Sequence, residues 1–327
     1  MKRIHAYVLA ADPTWLEASV LAYYPWIERL VVSFDRDGVG YTGAKTEVEE
    51  CLERLKRIDG ERKIRWAPGS FHERRLTPMQ NETRQRNAAM ELAQARADWV
   101  LQVDTDEWIP EMEYLLEGLD RTERAQKHGL EWPMRVLFRR LRDGSYLEVC
   151  GAEGEDHFEY VAPLAVRAGT RLVEGRRTGE GFLRAVIRGD GVSHQLRRAL
   201  EPGEERALFL GAEAAVVHNS WAREPAQMRR KLATWSHACG RAWLYYALRW
   251  WPAPWIWQGM RDFHPFSGPL WPALRRCGAR LPVMFPRGRA RLSNRGGARA
   301  GLPRECLQGG AWGGSFPGFH GSPAGGG

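Results

Sequence analysis

The chain has 327 residues, of which 43% are hydrophobic, with five cysteines and a formal net charge of +8. That length is enough for one large domain or two ordinary ones with a sizeable core. The apolar content excludes a disordered or collagen-like chain, and so few cysteines exclude a disulfide scaffold. Six of the 48 cationic residues are Lys and 42 are Arg. Because a G+C-rich genome produces the same bias, basicity alone does not argue for a nucleic-acid partner.

The cysteines and the hydropathy pattern predict a cytoplasmic protein. The cysteines are scattered and form no C-x-x-C pair, which favours a reducing compartment. The amino-terminal apolar run ends at Asp12, too early for a signal peptide. The most apolar stretch, residues 242–257, is interrupted by Arg249, Pro252 and Pro254. No membrane-spanning helix is therefore predicted.

The first 110 residues alternate between strand-like and helix-like patterns. Short apolar runs predict strands over 4–10, 30–34, 63–67 and 99–103. Apolar residues at helical spacing predict helices over 14–23, 46–58 and 81–95. This alternation indicates βαβ units, and therefore an α/β fold with a mostly parallel central sheet and helices on both faces.

Acidic residues follow three of the predicted strands. Asp12 follows the first strand, Asp35 and Asp37 follow the second, and Asp104 and Asp106 follow the fourth. In parallel α/β sheets, ligands bind beyond the carboxyl ends of the strands. The sequence therefore predicts the functional site at this edge.

The pattern changes after residue 130 and again near the carboxyl terminus. Short runs with turns over 131–217 predict added strands, and residues 224–249 return to helical spacing. The last 41 residues hold 13 Gly, six Arg and one acid, a composition typical of disorder. We predict a main domain at 1–225, a Trp-rich helical subdomain at 226–286 and a disordered tail at 287–327.

The D-x-D pair Asp104 and Asp106 carries the clearest chemical signal. It ends an apolar strand, which itself follows a helix carrying an Arg-Asn pair. Alternating carboxylates at the mouth of a buried strand suit Mg²⁺ or Mn²⁺ rather than zinc. A cation held there can bridge two phosphates, as in a nucleotide sugar, and stabilise charge on a departing diphosphate. The predicted cofactor is a divalent cation.

The segment QRNAAMELAQARADWVLQVDTDE resembles the metal-site signature of the family 2 glycosyltransferases of the GT-A fold. SFDRDGVGYTG and VVHNSWAR are also similar to bacterial members, and the likeness covers roughly residues 4–225. The resemblance implies a GT-A catalytic domain with a C-terminal helical extension. It also implies inverting, metal-dependent transfer from a nucleotide-diphosphate sugar to an acceptor hydroxyl. The expected product is a glycan, a lipopolysaccharide or another cell-surface polysaccharide.

The resemblance also implies roles for single residues in the donor pocket. Asp35 or Asp37 would contact the base or ribose, and the loop at Asp12 would line the nucleotide. Arg86 and Asn87 would shape the same pocket.

Three residues are implied as metal ligands. Asp104 and Asp106 would coordinate the cation bound to the donor diphosphate, and His218 would complete the metal or diphosphate site. A strand-end histidine that is hydrogen-bonded locally is the alternative for His218. The basic helix after it offers Arg229, Arg230 and Lys231 for donor phosphates, although a solvated face is the simpler interpretation.

Inverting transfer needs a carboxylate that takes the proton from the acceptor hydroxyl. The segment GAEGEDHFEY supplies four acids, namely Glu153, Glu155, Asp156 and Glu159. Glu155 and Asp156 resemble the usual Glu-Asp pair of the family and are the predicted catalytic residues. An ordinary acidic loop in a catalytically diverged binding protein is the alternative.

Residues 243–271 contain six of the fifteen tryptophans, together with arginines and prolines. Trp beside Arg suits a membrane interface, and Trp also stacks on sugar rings. The plainest interpretation is a packed helical subdomain with half-buried indoles. The predicted partners are a nucleotide-sugar donor, a glycan or lipid-linked acceptor, and the inner face of the membrane through 243–271.

Two other functions compete with glycosyl transfer. Nucleotidyltransferases of similar fold normally open with a Gly-rich loop after the first strand, whereas VLAADPTWLEAS has no glycine. A nucleic-acid binder would need a basic face. The tail carries six Arg and one Glu, a net +5, which leaves about +3 of the +8 for residues 1–286. No nucleic-acid partner is therefore predicted.

Overall fold

The computed structural model describes residues 2–237 and 240–277, which build three sheets with helices between them. Their strands are β1 Ile4–Leu9, β2 Arg29–Asp35, β3 Ile64–Gly69, β4 Trp99–Gln102, β5 Glu107–Trp108, β6 Gly129–Glu131, β7 Met134–Arg140, β8 Tyr146–Cys150, β9 Pro163–Arg167, β10 Leu172–Glu174, β11 Arg177–Thr178, β12 Phe182–Ile187, β13 Glu204–Leu210, β14 Val216–His218 and β15 Ala273–Cys277. Their α-helices are α1 Leu16–Tyr23, α2 Val48–Ile58, α3 Pro78–Ala93, α4 Met112–Arg124, α5 Pro225–Thr234, α6 Gly240–Tyr245 and α7 Ala253–Ile256. Tyr246–Trp250 form a π-helical turn.

The largest sheet is mostly parallel, as the sequence predicts. Its strand order is β13-β12-β6-β9-β4-β1-β2-β3. Strand β9 runs antiparallel to its neighbours β4 and β6, and the other neighbouring pairs are parallel. The chain order reverses beside β1, which lies between β4 and β2. A crevice at the carboxyl ends of these strands is the expected ligand position in such a sheet.

Helices cover both faces of this sheet. Along β1, Ala6 and Val8 pack in a cluster with Leu16 of α1 and Leu55 of α2, whereas Tyr7 packs on the other face against Met90 of α3. Alternate residues of a strand point to opposite faces. The predicted α/β architecture with helices on both faces is therefore confirmed.

A second sheet, in the order β15-β8-β7-β14-β5, brings the carboxyl-terminal part of the described chain back to the site. Strand β15 pairs antiparallel with β8, so the described part of residues 226–286 contains a strand as well as helices. Trp250 donates an indole hydrogen bond of 2.8 Å to the carbonyl of Trp221. The domain boundary at 225 stays a prediction, and the tail at 287–327 lies outside the described residues.

Two capped helices carry cationic side chains to the site. Thr77 and Gln80 form a reciprocal capping box at the start of α3, with Pro78 in the first turn. Glu224 and Gln227 form the equivalent box at the start of α5. Such boxes satisfy backbone N–H groups that a helix start leaves free. Because of the Thr77 cap, α3 begins three residues earlier than apolar spacing predicts.

The helices of the described residues are also informative about the membrane. None of them combines the length and hydropathy of a membrane-spanning helix.

Candidate active site

A cleft of about 660 Å³ opens where the carboxyl ends of β1, β2 and β4 meet the second sheet. That volume suits a small-molecule site. Six of the residues predicted from sequence line it, namely Asp12, Asp35, Arg86, Asp104, Asp106 and His218. The structure thus brings most of the predicted donor and metal residues together at the predicted edge of the sheet.

Asp104, at the start of the D-x-D loop, pairs with the guanidinium of Arg86. Arg86 Nη2 donates to both carboxylate oxygens of Asp104, at 2.8 and 3.1 Å, while Arg86 Nε donates to Glu82 at 2.7 Å. Burial raises the pKa of Asp104, but the charges of Arg86 and Arg176 outweigh it and hold the pKa below its usual value. Asp104 is therefore an ionised carboxylate whose two oxygens already have a partner.

Asp106 uses its two oxygens differently. Its Oδ2 accepts from Arg223 Nη2 and from Lys231 Nζ, both at 2.8 Å. Its Oδ1 faces His218 Nε2 at 3.8 Å, which is too long for a hydrogen bond. Burial raises the pKa of Asp106, but Lys231, His218 and Arg223 together hold it far below its usual value. Asp106 is a carboxylate with one oxygen directed at an imidazole.

Arg223 connects the first loop of the sheet to the D-x-D loop. Its guanidinium donates to Asp12 and to Asp106, and its side chain is buried. Asp12 also accepts from the backbone N–H of Thr14 at 2.9 Å. A planar fork between two carboxylates is a contact that Lys cannot replace. Arg223 therefore fixes the relative positions of Asp12 and Asp106.

A second buried ion pair, between Arg176 and Glu107, supports the D-x-D loop. Glu107 is fully buried, and its Oε2 accepts from Arg176 Nη1 at 2.6 Å and from the Asp104 N–H at 3.0 Å. Glu107 also pairs with His218 across the β5–β14 ladder. The pairing of β14 with β5, which begins at Glu107 directly after the D-x-D pair, therefore sets the position of His218.

The predicted metal ligands fit a divalent cation in part. No group of three or more His, Cys, Asp or Glu side chains suited to a metal ion occurs in residues 2–237 and 240–277. Asp104 is occupied by Arg86 at both oxygens. Asp106 Oδ1 and His218 Nε2 face each other without a hydrogen bond. Two protein ligands suffice where substrate phosphates and water supply the others, so Asp106 and His218 fit a donor-bound cation.

Of three predicted donor residues, Asp35 and Asn87 have structural contacts and Asp37 is exposed. Asp35 closes its own turn by accepting the backbone N–H of Asp37 at 3.0 Å and that of Phe71 at 2.8 Å. Asp37 is exposed and is not among the residues that line the cleft. Asn87 forms two hydrogen bonds, of 2.9 and 3.0 Å, with the backbone of Leu172, so it fastens β10 to α3 outside the cleft. Of the three, Asp35 alone lines the cleft.

The predicted catalytic acids also lie outside the cleft lining. Glu155 Oε2 accepts the backbone N–H of Glu153 at 2.9 Å, within its own turn. Asp156 is exposed and accepts from Arg275 at 2.5 Å. Both carboxylates thus stabilise the loop after β8. A catalytic role for either one stays a prediction that their position does not favour.

Glu159, from the same segment, does line the cleft. Its side chain is buried and accepts from the indole N–H of Trp271. Burial raises its pKa to about 7, which the hydrogen bond from Trp271 offsets only in part. Of the four acids in the segment, Glu159 is therefore the one that lines the cleft, and its pKa is raised.

Sequence reasoning undervalued the cations of the cleft. Lys231 pairs with Asp106 and only 14% of its side chain is exposed, whereas the simpler interpretation of the sequence is a solvated face. Its neighbour Arg230 does pair at the surface, with Glu47 at 3.1 Å. The available signal was the position of Lys231 six residues after Pro225, because the capped start of α5 fixes which face of the helix meets the cleft.

Comparisons with known proteins give weak likenesses. No protein-family model matches the chain, and no curated protein matches it. One similar solved structure is titled 4-diphosphocytidyl-2C-methyl-D-erythritol synthase, from Anaerococcus prevotii, with 13% identity, a TM-score of 0.30, and coverage of 51% of this chain and 70% of that one. Another is titled mannose-1-phosphate geranyltransferase, from Thermus thermophilus, with 17% identity and a TM-score of 0.27, covering 52% of this chain and 51% of that one. At these scores neither likeness assigns an activity.

Proposed function

We propose that the chain is a glycosyltransferase that moves a sugar from a nucleotide-diphosphate sugar to an acceptor hydroxyl. The observation that carries the proposal is the composition of a single cleft. It contains buried cations for an anionic donor, an Asp–His pair suited to a divalent cation, and one buried acid with a raised pKa. The resemblance of residues 82–108 to the family 2 signature supports the same conclusion.

Each group has a distinct part in the proposed reaction. Arg223 and Lys231 would attract the donor diphosphate, and their alignment by Asp106 lowers the cost of orienting them during the reaction. Asp106 and His218 would hold Mn²⁺ or Mg²⁺, which supplies Lewis-acid stabilisation of the diphosphate charge when bound. Burial lowers the pKa of His218, so its imidazole is neutral at neutral pH, as a metal ligand must be.

In the proposed transfer step, Glu159 is the general base. Glu159 removes the proton of the acceptor hydroxyl while that oxygen attacks the anomeric carbon of the donor sugar. The new C–O bond forms as the bond from the anomeric carbon to the phosphate oxygen breaks, and the nucleoside diphosphate leaves. Attack opposite the leaving group inverts the anomeric configuration.

The pH dependence of transfer tests the role of Glu159. A base accepts a proton only when it is ionised, and the pKa of Glu159 is raised to about 7. We therefore expect kcat/KM to rise about tenfold per pH unit below about 7 and to level off above it. The measurement is release of nucleoside diphosphate across a pH series. A profile that is flat from about pH 5 to about pH 8 would remove Glu159 as the base.

We further propose that an exposed apolar surface of the same protein contacts an anionic membrane. This surface, called here the aromatic patch, consists of the exposed side chains Trp243, Leu244, Leu248, Trp251, Trp255 and Ile256. Trp255 is 70% exposed. Clustered exposed apolar side chains of this kind mark interaction surfaces.

The chemistry around the aromatic patch favours lipid as its partner. Arg241, Arg249 and Arg261 are exposed in the same segment, and Asp262 is its one acid between residues 240 and 277. Indole rings settle at the boundary between headgroups and acyl chains, and exposed arginines are attracted to anionic headgroups.

Sedimentation with vesicles tests this contact. We expect the protein to sediment with phosphatidylglycerol vesicles at low salt, and the double variant Trp251→Ser, Trp255→Ser to lose most of that binding. Leu208→Ser is the matched control, because Leu208 is 65% exposed and lies outside the patch, on the edge strand β13 of the large sheet. If the wild type does not bind these vesicles but its molecular mass doubles as its concentration rises, the membrane proposal is wrong and the patch is a dimer interface.

A further inference from the structure

One side of the cleft is a wall of aromatic rings that the chemistry above does not use. The wall is formed by Trp235, His237, His264, Phe266 and Trp271, all of which line the cleft. Neighbouring ring centroids are 4.8 Å apart for Trp235 and His237, 5.9 Å for Trp235 and Phe266, 5.8 Å for Phe266 and His264, and 4.6 Å for His264 and Trp271. The rings therefore contact one another in a continuous series, of which Trp271 is the buried end.

One end of the aromatic wall lies beside the cations proposed to bind the diphosphate, and the other end contacts the proposed base Glu159. At one end, Lys231 Nζ lies 5.8 Å from the Trp235 ring centroid and 2.8 Å from Asp106. At the other end, the Trp271 indole donates to Glu159. A group resting on the wall would thus lie between the cations for the diphosphate and the candidate base. An acceptor hydroxyl must occupy that position.

The histidines of the wall add hydrogen-bonding capacity without charge. Burial lowers the pKa of His264 to about 4 and also lowers that of His237, so both imidazoles are neutral at neutral pH. His264 Nδ1 accepts the backbone N–H groups of Phe266 and Ser267, at 3.2 and 2.9 Å. The proton of the neutral ring therefore sits on Nε2, which is a donor.

We propose that this wall is the acceptor subsite and that the acceptor presents a sugar ring to it, an inference that rests on the proposed glycosyl transfer. A pyranose has one face of C–H bonds and an edge of hydroxyl groups. The C–H face suits the negative face of an aromatic ring, and the hydroxyl edge suits neutral donors and acceptors such as His264. An alkyl chain would leave those polar groups without partners.

Phe266 is the position at which to test the subsite. Its side chain is 48% exposed, so truncation leaves the core intact, whereas Trp271 is buried. Saturation-transfer NMR with methyl pyranosides, in the absence of nucleotide, reports sugar binding directly. We expect Phe266→Ala to weaken that binding about tenfold, as loss of one aromatic contact does, and Phe266→Tyr to retain it. Leu208→Ala is the matched surface control.

Two further probes separate this inference from the proposed function. Uridine and guanosine diphosphates should bind the wild type and Phe266→Ala equally, because the Trp235 ring lies between Phe266 and Lys231 in the series of contacts along the wall. Sugar binding that survives Phe266→Ala unchanged, or cyclohexanol that binds as well as the pyranosides, would overturn the subsite. Phe266-dependent sugar binding in a protein that ignores nucleoside diphosphates would keep the subsite and reject glycosyl transfer.

Discussion

Glu159→Gln is expected to reduce glycosyl transfer by about 10²- to 10⁴-fold, the usual contribution of a general base. The substitution keeps the size and the hydrogen-bond acceptor for Trp271 but removes the group that takes the acceptor proton. Donor affinity should be unchanged, because the cations and the Asp–His pair stay in place. The measurements are kcat for transfer and calorimetric titration with the nucleotide donor.

The stability of Glu159→Gln is a second, independent signature. The pKa of Glu159 is about 7 in the folded protein, against an ordinary value of 4.5. A carboxyl with a raised folded pKa contributes stability below its unfolded pKa, and that contribution is lost as the pH rises through the folded value. At a pH above about 7, Gln should therefore raise the Tm relative to the wild type.

Glu155→Gln is the matched control for the loop after β8. It changes an acid of the same segment that lies outside the cleft lining, so transfer should stay within about twofold of the wild type. The opposite pattern, with activity lost in Glu155→Gln and kept in Glu159→Gln, would return the base to the position that the sequence predicts.

Asp106→Asn is expected to abolish metal-dependent transfer and to destabilise the fold. The variant removes the carboxylate that faces His218 and that aligns Arg223 and Lys231. It leaves Lys231 without its ion-pair partner in a buried position. Breaking a buried ion pair in this way costs about 3–5 kcal/mol. The measurements are the Mn²⁺ dependence of donor turnover and the free energy of unfolding in urea.

A double variant separates the chemical loss from the loss of stability. Asp106→Asn with Lys231→Met removes the uncompensated ammonium together with the carboxylate, so much of the stability should return. Transfer should stay abolished, because neither the metal ligand nor the phosphate-binding cation is restored. Recovery of activity along with stability would show that Asp106 acts only through folding.

The sequence predicts the sheet edge well because strand and helix periodicities are local. The run from Ile4 to Leu9 and the helical spacing of Val48–Ile58 depend only on near neighbours, and both are confirmed. The acids at the ends of β1, β2 and β4 follow from the same pattern. Such a pattern does not predict which of these acids pairs with an Arg or Lys side chain.

Long-range contacts determine the positions of the side chains whose roles the sequence predicts differently from the structure. The proposed base is Glu159 among four acids because its backbone bridges to Met134 and its side chain contacts Trp271, which is 112 positions away. Asn87 turns to the backbone of β10, a strand 85 positions later. Neither separation leaves a periodic signal, so the roles of these side chains depend on tertiary packing.

Incubation of the wild-type protein with a panel of nucleotide-diphosphate sugars and Mn²⁺, with analysis of the released nucleotide, tests glycosyl transfer most directly. The proposed function predicts that one class of donor releases free nucleoside diphosphate and that Asp106→Asn releases none. Pyrophosphate formed from a nucleoside triphosphate and a sugar 1-phosphate, with every nucleotide sugar left intact, would contradict it and identify a nucleotidyltransferase.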